Sequence, residues 1–204
     1  METASAPVAH KGRPREFCVD QALSAALRVF WTRGYEGASM AELTQAMGIT
    51  KPSLYAAFGN KEALFKKALD LYESEKLTYM KTALEAPTLR QVAERLLLGT
   101  LEMQSSTCDP KGCLGVISQV ACSAEAESIR SEVVARQASS QAALIARFER
   151  ARDEGDLPAD ADPEALARYL KALIQGIMLQ ASAGATCAEL RSLVDTALQV
   201  WPTR

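Results

Sequence analysis

Residues 38–65 read ASMAELTQAMGITKPSLYAAFGNKEALF. Ser39 stands three residues before Glu42, a capping-box spacing, and Leu43, Ala46 and Met47 then recur at helical intervals until Gly48 stops the run. Ile49 fills the turn. Thr50 is placed to cap a second short helix that starts near Lys51, with Pro52 in its first turn, where a missing N–H costs nothing. Leu54 and Phe58, four apart, face a core and leave Lys51, Ser53, Tyr55 and Ala57 pointing partly or wholly outward. Two short helices across a glycine turn make a helix-turn-helix. Its second member offers base-edge contacts in a major groove, while backbone N–H groups and basic side chains hold phosphates. Asn60 then caps a longer helix through Lys61, Glu62, Leu64, Phe65 and Leu69.

Phe30, Gly34, Tyr35, Ser39, Ala46, Gly48, Lys51, Ser53, Leu54, Tyr55, Phe58, Lys61, Glu62 and Leu64 fall in this order without a gap. Over roughly residues 17–72 this pattern resembles the TetR family of one-component bacterial repressors. The Gly-aromatic step at Gly34 and Tyr35 and the Tyr-x-x-Phe-x-x-Lys run from Tyr55 make the likeness more specific than a lone helix pair. The resemblance implies DNA contacts from Thr50, Lys51, Pro52, Ser53 and Tyr55, with Ser39, Met40 and Lys61 holding the backbone. Ala56 and Ala57 stand where many relatives carry bulkier residues.

The chain has 204 residues, enough for one compact domain plus a small appended one. Its apolar fraction is 48%, rich in Ala and Leu, with no sustained alternation of β-branched residues. The expected fold is all-α, with about nine helices: an N-terminal three-helix DNA-binding domain over 13–72 and a C-terminal helical effector-binding and dimerisation domain over 73–204. No apolar stretch approaches a membrane span, and METASAPVAHKGRPRE lacks the apolar centre of a signal peptide, so a cytoplasmic protein without membrane partners is expected. The net charge of -2 gives no basic surface overall. From Lys11 to Lys67, however, nine basic residues meet five acidic ones, whereas from Glu73 onward 14 meet 18. The basic end coincides with the reading motif.

Residues 1–12 read as a disordered, basic-ended arm containing His10, the single histidine. The Gly-Arg-Pro step that follows places Arg13 and Arg15 where TetR-like proteins carry a basic arm. Such an arm reaches phosphates or a minor groove, and a solubilising tail has the same composition. The first helix is expected over Glu16–Arg33, its stripe Leu23, Ala26, Leu27 and Phe30, with Trp31 and Tyr35 packing rather than stacking on bases. A single helix over Asn60–Leu84 links head to body. Later helices are expected from Thr88, over Cys113–Cys122, over Ala126–Gly155 with the stripe Val133, Ala138, Leu144, Ile145 and Phe148, over Pro163–Gly184, and over Cys187–Trp201. The last two are apolar enough to fill a monomer core, or to form the four-helix dimer interface that the resemblance implies. A dimer suits a palindromic operator, whose half-sites lie about 34 Å apart.

Five cysteines without C-x-x-C, and one tail histidine, point away from structural disulfides and from a zinc site, and no metal or other cofactor is expected. Cys108 and Cys113 flank Lys111 at the start of a helix, a setting that favours thiolate. They read either as a redox or electrophile switch or as small hydrophobes. The Gly-Cys-Leu step at Gly112 to Leu114 resembles a TetR subgroup that contains reactive-electrophile and copper responders. A second reading places an apolar effector among Leu97, Met103, Ile117, Phe148, Gln175 and Met178. No Ser-His-Asp set and no phosphate-cradling glycine loop is present, so an enzyme is not expected. A homodimeric repressor is the leading reading, with a helical protein-binding scaffold as its rival.

Overall fold

A computed structural model describes residues 18–120, 126–158 and 160–202. Among the described residues there are ten helices and no strand: α1 (Val19–Gly37), α2 (Met40–Met47), α3 (Lys51–Phe58), α4 (Lys61–Lys76), α5 (Thr78–Leu84), α6 (Leu89–Ser105), α7 (Leu114–Val120), α8 (Glu127–Asp153), α9 (Pro163–Ser182) and α10 (Cys187–Gln199). Most start where a side chain satisfies a free backbone N–H. Ser39, Thr50, Asn60, Thr88, Asp162 and Thr186 all do this, and Thr88 with Gln91 and Thr186 with Glu189 form complete capping boxes.

Two apolar cores form. One lies inside α1–α4 and holds Phe30, Trp31, Leu43, Leu54, Phe58, Phe65 and Tyr72; Leu114, Ile129 and Val133 from α7 and α8 complete it. The other lies among α5, α6, α8, α9 and α10, around Leu96, Leu97, Phe148, Leu170, Ile177, Val194 and Trp201. Cys113 packs against both.

The structure departs from sequence expectation in four places. The expected Asn60–Leu84 helix is two helices, broken at Leu77 (φ -108°, ψ 5°). Ser74 and Thr78 direct their hydroxyls to the carbonyls of Leu71 and Ser74, which competes with the helical ladder. After the break, the Tyr79 ring lies on the backbone of Gly99 in α6, and its hydroxyl meets Thr100 Oγ1 at 3.0 Å. In α1 the helical geometry fails at Gly34 (φ 71°, ψ 178°), one residue past the expected end, and a further turn follows to Gly37. Ser39 caps Glu42 N–H, but Glu42 carries its carboxylate to Arg33 at 3.2 Å. In α8, Ala138 is exposed, and Gln137 and Gln141 occupy the stretch between buried Val133 and buried Leu144. The expected ends at Glu16, Cys122 and the arginines Arg13 and Arg15 lie outside the described residues.

A methyl group on Gly99 would land well inside van der Waals contact with the Tyr79 ring. Gly99→Ala, which in an open helix gains up to about 1 kcal/mol, is therefore expected to lose about 1–3 kcal/mol through overpacking. The urea midpoint of purified variant and parent reads the sign.

Candidate nucleic-acid interface

The α2–α3 pair rests on an aromatic support. Phe30 meets Phe65 edge-on at 5.0 Å, Tyr35 meets Phe65 at 5.2 Å, and Trp31 meets Tyr72 at 4.8 Å. Such offset and edge contacts fix ring orientation as well as burying area. Gly48 closes α2 in the left-handed region (φ 66°, ψ 28°), donating its N–H to Gln45 and Thr44 carbonyls, and this sets the turn into α3. On α3, Leu54 and Phe58 are fully buried and anchor one face. The opposite face carries exposed Thr50, Lys51, Pro52 and Tyr55, with Ser53 half-buried.

These outward groups are partly ordered before any partner arrives. Thr50 Oγ1 accepts from Ser53 N–H at 3.3 Å and sits 2.9 Å from Ser53 Oγ. The Lys51 ammonium lies 5.9 Å from the Tyr55 ring centroid. Tyr55 is 46% exposed, unusual for an aromatic ring in a packed helix pair. At the start of α4, the Lys61 ammonium stands 4.6 Å over the Tyr35 ring. Partial burial lowers the Lys61 pKa below its ordinary value, and the Glu36 carboxylate opposes that shift. Nearly two turns further, Lys67 lies 5.9 Å from the Phe58 ring, adding a basic group that the sequence reading did not single out. Met40 is half-buried and Ser39 exposed at the start of α2. The ten residues read as DNA-contacting thus divide: eight cluster on α2, α3 and the first turn of α4, and Arg13 and Arg15 lie outside the described residues.

The body candidates do not form one cluster. Leu97, Phe148 and Met178 are buried in the α6–α10 core with Met103 beside it, whereas Ile117 packs on the head core. Gln175 donates its amide to Gln137 Oε1 at 3.3 Å. Cys108 is exposed and Cys113 half-buried, both as free thiols. Lys111 does not serve either thiol: its ammonium bonds the carbonyls of Gln104 and Ser106, each at 2.6 Å, capping the end of α6. Instead Cys113 faces the phenol of Tyr72, whose pKa burial pushes well up. An open groove of about 430 Å³ runs on the outer face of α9 and α10, between Tyr169, Leu173, Leu193 and Val200. No helix among the described residues is long and apolar enough to cross a membrane.

The helix-turn-helix region matches the family model for bacterial regulatory proteins of the tetR family over residues 22–68, and the body matches the tetracyclin repressor-like C-terminal domain over residues 89–198. The chain belongs to the TetR family. This is a family of transcriptional regulators, not of enzymes. The HTH-type transcriptional repressor ComR of Escherichia coli K12 is 30% identical over 194 residues, 94% of this chain and 92% of ComR. The repressor BdcR of the same organism is 51% identical over 61 residues, 30% of this chain and 31% of BdcR. A cysteine variant of the TetR family regulator CifR, solved with 26-base-pair operator DNA, is 41% identical, with a TM-score of 0.87 across 93% of this chain and 100% of CifR.

Thr50 is the hinge of this TetR-type reading unit, since it both caps α3 and fixes Ser53. Thr50→Ala is expected to cost about 1 kcal/mol, the ordinary value of an N-cap, while Thr50→Ser keeps parental stability. Urea unfolding of both variants followed by circular dichroism separates the two.

Proposed function

We propose that the chain is a homodimeric transcriptional repressor that binds a palindromic operator and leaves it when a small effector or a thiol modification reshapes the body. Residues 13–72 form the DNA-binding head in this reading, residues 73–204 the effector-binding and dimerising body, and the protein works in the cytoplasm, where its DNA is. The observation that carries the proposal is the outward face of α3. Thr50, Lys51, Ser53 and Tyr55 stand together there, ordered by contacts with one another and backed by buried Leu54 and Phe58. Hydroxyl, ammonium and phenol groups at a helix N-terminus suit base edges and phosphates alike. Lys61 adds a phosphate contact from the next helix.

Support for the dimer comes from α9 and α10. Tyr169, Leu179 and Val200 are exposed apolar residues on or just after these helices, 42%, 59% and 64% accessible, and Tyr169 and Val200 line the open groove. A second copy would cover them, and two-fold pairing matches the symmetry of a palindrome. Support for release comes from the place of Cys113, which touches both cores, so that a bulky adduct on its sulfur would press on the head and the body at once.

Selection of genomic fragments by the purified protein, with reductant and with a mild thiol oxidant, tests the function as a whole. Enrichment of one palindrome supports the repressor, and loss of that enrichment on oxidation supports the thiol switch. Enrichment of no site under either condition overturns the assignment and leaves a protein-binding scaffold.

On the selected operator, Tyr55→Ala is expected to weaken binding about tenfold or more with the helical content and melting temperature of the parent. Lys61→Ala is expected to flatten the slope of log K against log salt by about 0.9, the value of one lost phosphate contact. Cys113→Ser is expected to bind the operator normally and to resist release by N-ethylmaleimide. Ordinary release of that variant rejects Cys113 as the sensing thiol.

A further inference from the structure

Between Val133 and Leu144, α8 turns two glutamines rather than two hydrophobes toward its neighbours. Gln137 and Gln141 are four apart and therefore share a face. Lys171 and Gln175, also four apart, answer them from α9: the Lys171 ammonium donates to the Gln137 carbonyl at 3.0 Å, and Gln175 Nε2 donates to Gln137 Oε1 at 3.3 Å. From α7, Gly115 completes the group. A side chain built there would meet Gln137 Nε2 at 3.6 Å and Cys113 Sγ at 3.7 Å, ordinary contact distances, so the spot beside the missing side chain is bounded by an amide and a thiol.

Three features of this cluster make it costly as mere packing. Both amide atoms of Gln141 are shut off from solvent and meet no hydrogen-bond partner among the described residues. A buried amide in that position is destabilising relative to an apolar side chain of the same shape. Lys171 is partly buried, and no acidic side chain pairs with it among the described residues. Its pKa is lowered, first by burial and then by Arg168, whose own charge is paired with Glu164. Groups that cost stability and remain unpaired within the fold are characteristic of ligand sites.

We propose that Gln137, Gln141, Lys171 and Gln175, beside Gly115, bind a small carboxylate as the effector. An anion matches the Lys171 ammonium, which donates to a carbonyl but meets no carboxylate among the described residues, and the unpartnered Gln141 amide supplies a further donor that a carboxylate oxygen accepts. The inference rests on the reading of the chain as an effector-released repressor and names the chemistry of that effector.

The test uses the purified full-length protein with acetate, butanoate, octanoate and benzoate, and with the matching alcohols as uncharged controls. At least one carboxylate is expected to raise the melting temperature saturably and to weaken operator binding about tenfold, while its alcohol does neither. Lys171→Met is expected to abolish both responses and keep operator binding. Without any ligand, Gln141→Leu is expected to melt higher than the parent, since it removes an unpartnered polar group; a Gln141 with an ordinary structural role would make it melt lower. Silence of all four carboxylates, an unchanged response in Lys171→Met, or a lowered melting temperature in Gln141→Leu overturns the proposal. A parent that binds no operator instead overturns the repressor reading, and the melting experiments still decide the site.

Discussion

One residue, Gly112, holds the head, the body and the loop between α6 and α7 in register. Its carbonyl accepts from Trp31 Nε1 at 3.2 Å and from Gln104 Nε2 at 3.3 Å, and its N–H donates to Gln104 Oε1 at 2.7 Å. Trp31 belongs to α1, Gln104 to the last turn of α6. The backbone there has φ +86°, and a Cβ would press on Ser182 of α9 at 2.9 Å, so the close approach of three helices depends on glycine. All three bonds are buried, where an unmade partner costs more than a made one contributes. A shift of α6 or α9 that moves Gly112 must therefore move Trp31 with it.

Around this fixed point, and beside the apolar contacts that Leu114, Ile129 and Val133 make with the head core, the other ties between head and body are electrostatic and more exposed. Asp109, three residues before Gly112, accepts from Lys76 at the end of α4 at 2.7 Å and lies 3.6 Å from Arg28 of α1. On the other flank Arg136 of α8 spans Asp70 and Glu73 of α4 at 2.8 and 3.1 Å, while also holding Glu132. Ion pairs of this exposure contribute at most about 1 kcal/mol each. In the proposed release the magnitudes assign the roles: the buried hydrogen bonds at Gly112 would act as a fulcrum, and the ion pairs along α4 would be exchanged at lower cost. The break at Leu77 suits this division, because it separates α4, packed in the head, from α5, docked on α6 through Tyr79 and Gly99.

What the sequence discloses of this arrangement is chiefly local. Ser39, Thr50, Asn60, Thr88 and Thr186 announce helix starts by residue type, and the outward face of α3 follows from the spacing of Leu54 and Phe58. The break at Leu77 is only half announced: Leu77 itself is an unexceptional helix former, and the contact that holds the chain after the break, the Tyr79 ring on Gly99, joins residues twenty apart. Lys111 looked like a partner for thiols because it stands between them in the chain; in space it caps α6. The glutamines of α8 escaped notice for a related reason. A stripe traced through apolar residues alone passes over Gln137 and Gln141, although the helical period from Val133 falls on Gln137 and then near Gln141. Polar residues on the period of a buried face are therefore the signal to seek, and here they mark the body's most distinctive chemistry.

The same physics bears on Lys61. Its ammonium is already partly stripped of water, a cost visible in its lowered pKa and offset in part by the Tyr35 ring, a contact worth about 0.5–2 kcal/mol. A fully solvated lysine must shed that water when it meets a phosphate, and must also give up rotamer freedom. Lys61 has met part of both costs during folding. In the proposed operator complex its contact should thus return more than that of a mobile surface lysine, which explains how a head with a modest excess of basic residues, on a chain of net charge -2, can hold DNA. Folding energy spent on orienting one cation substitutes for a larger number of loosely held ones.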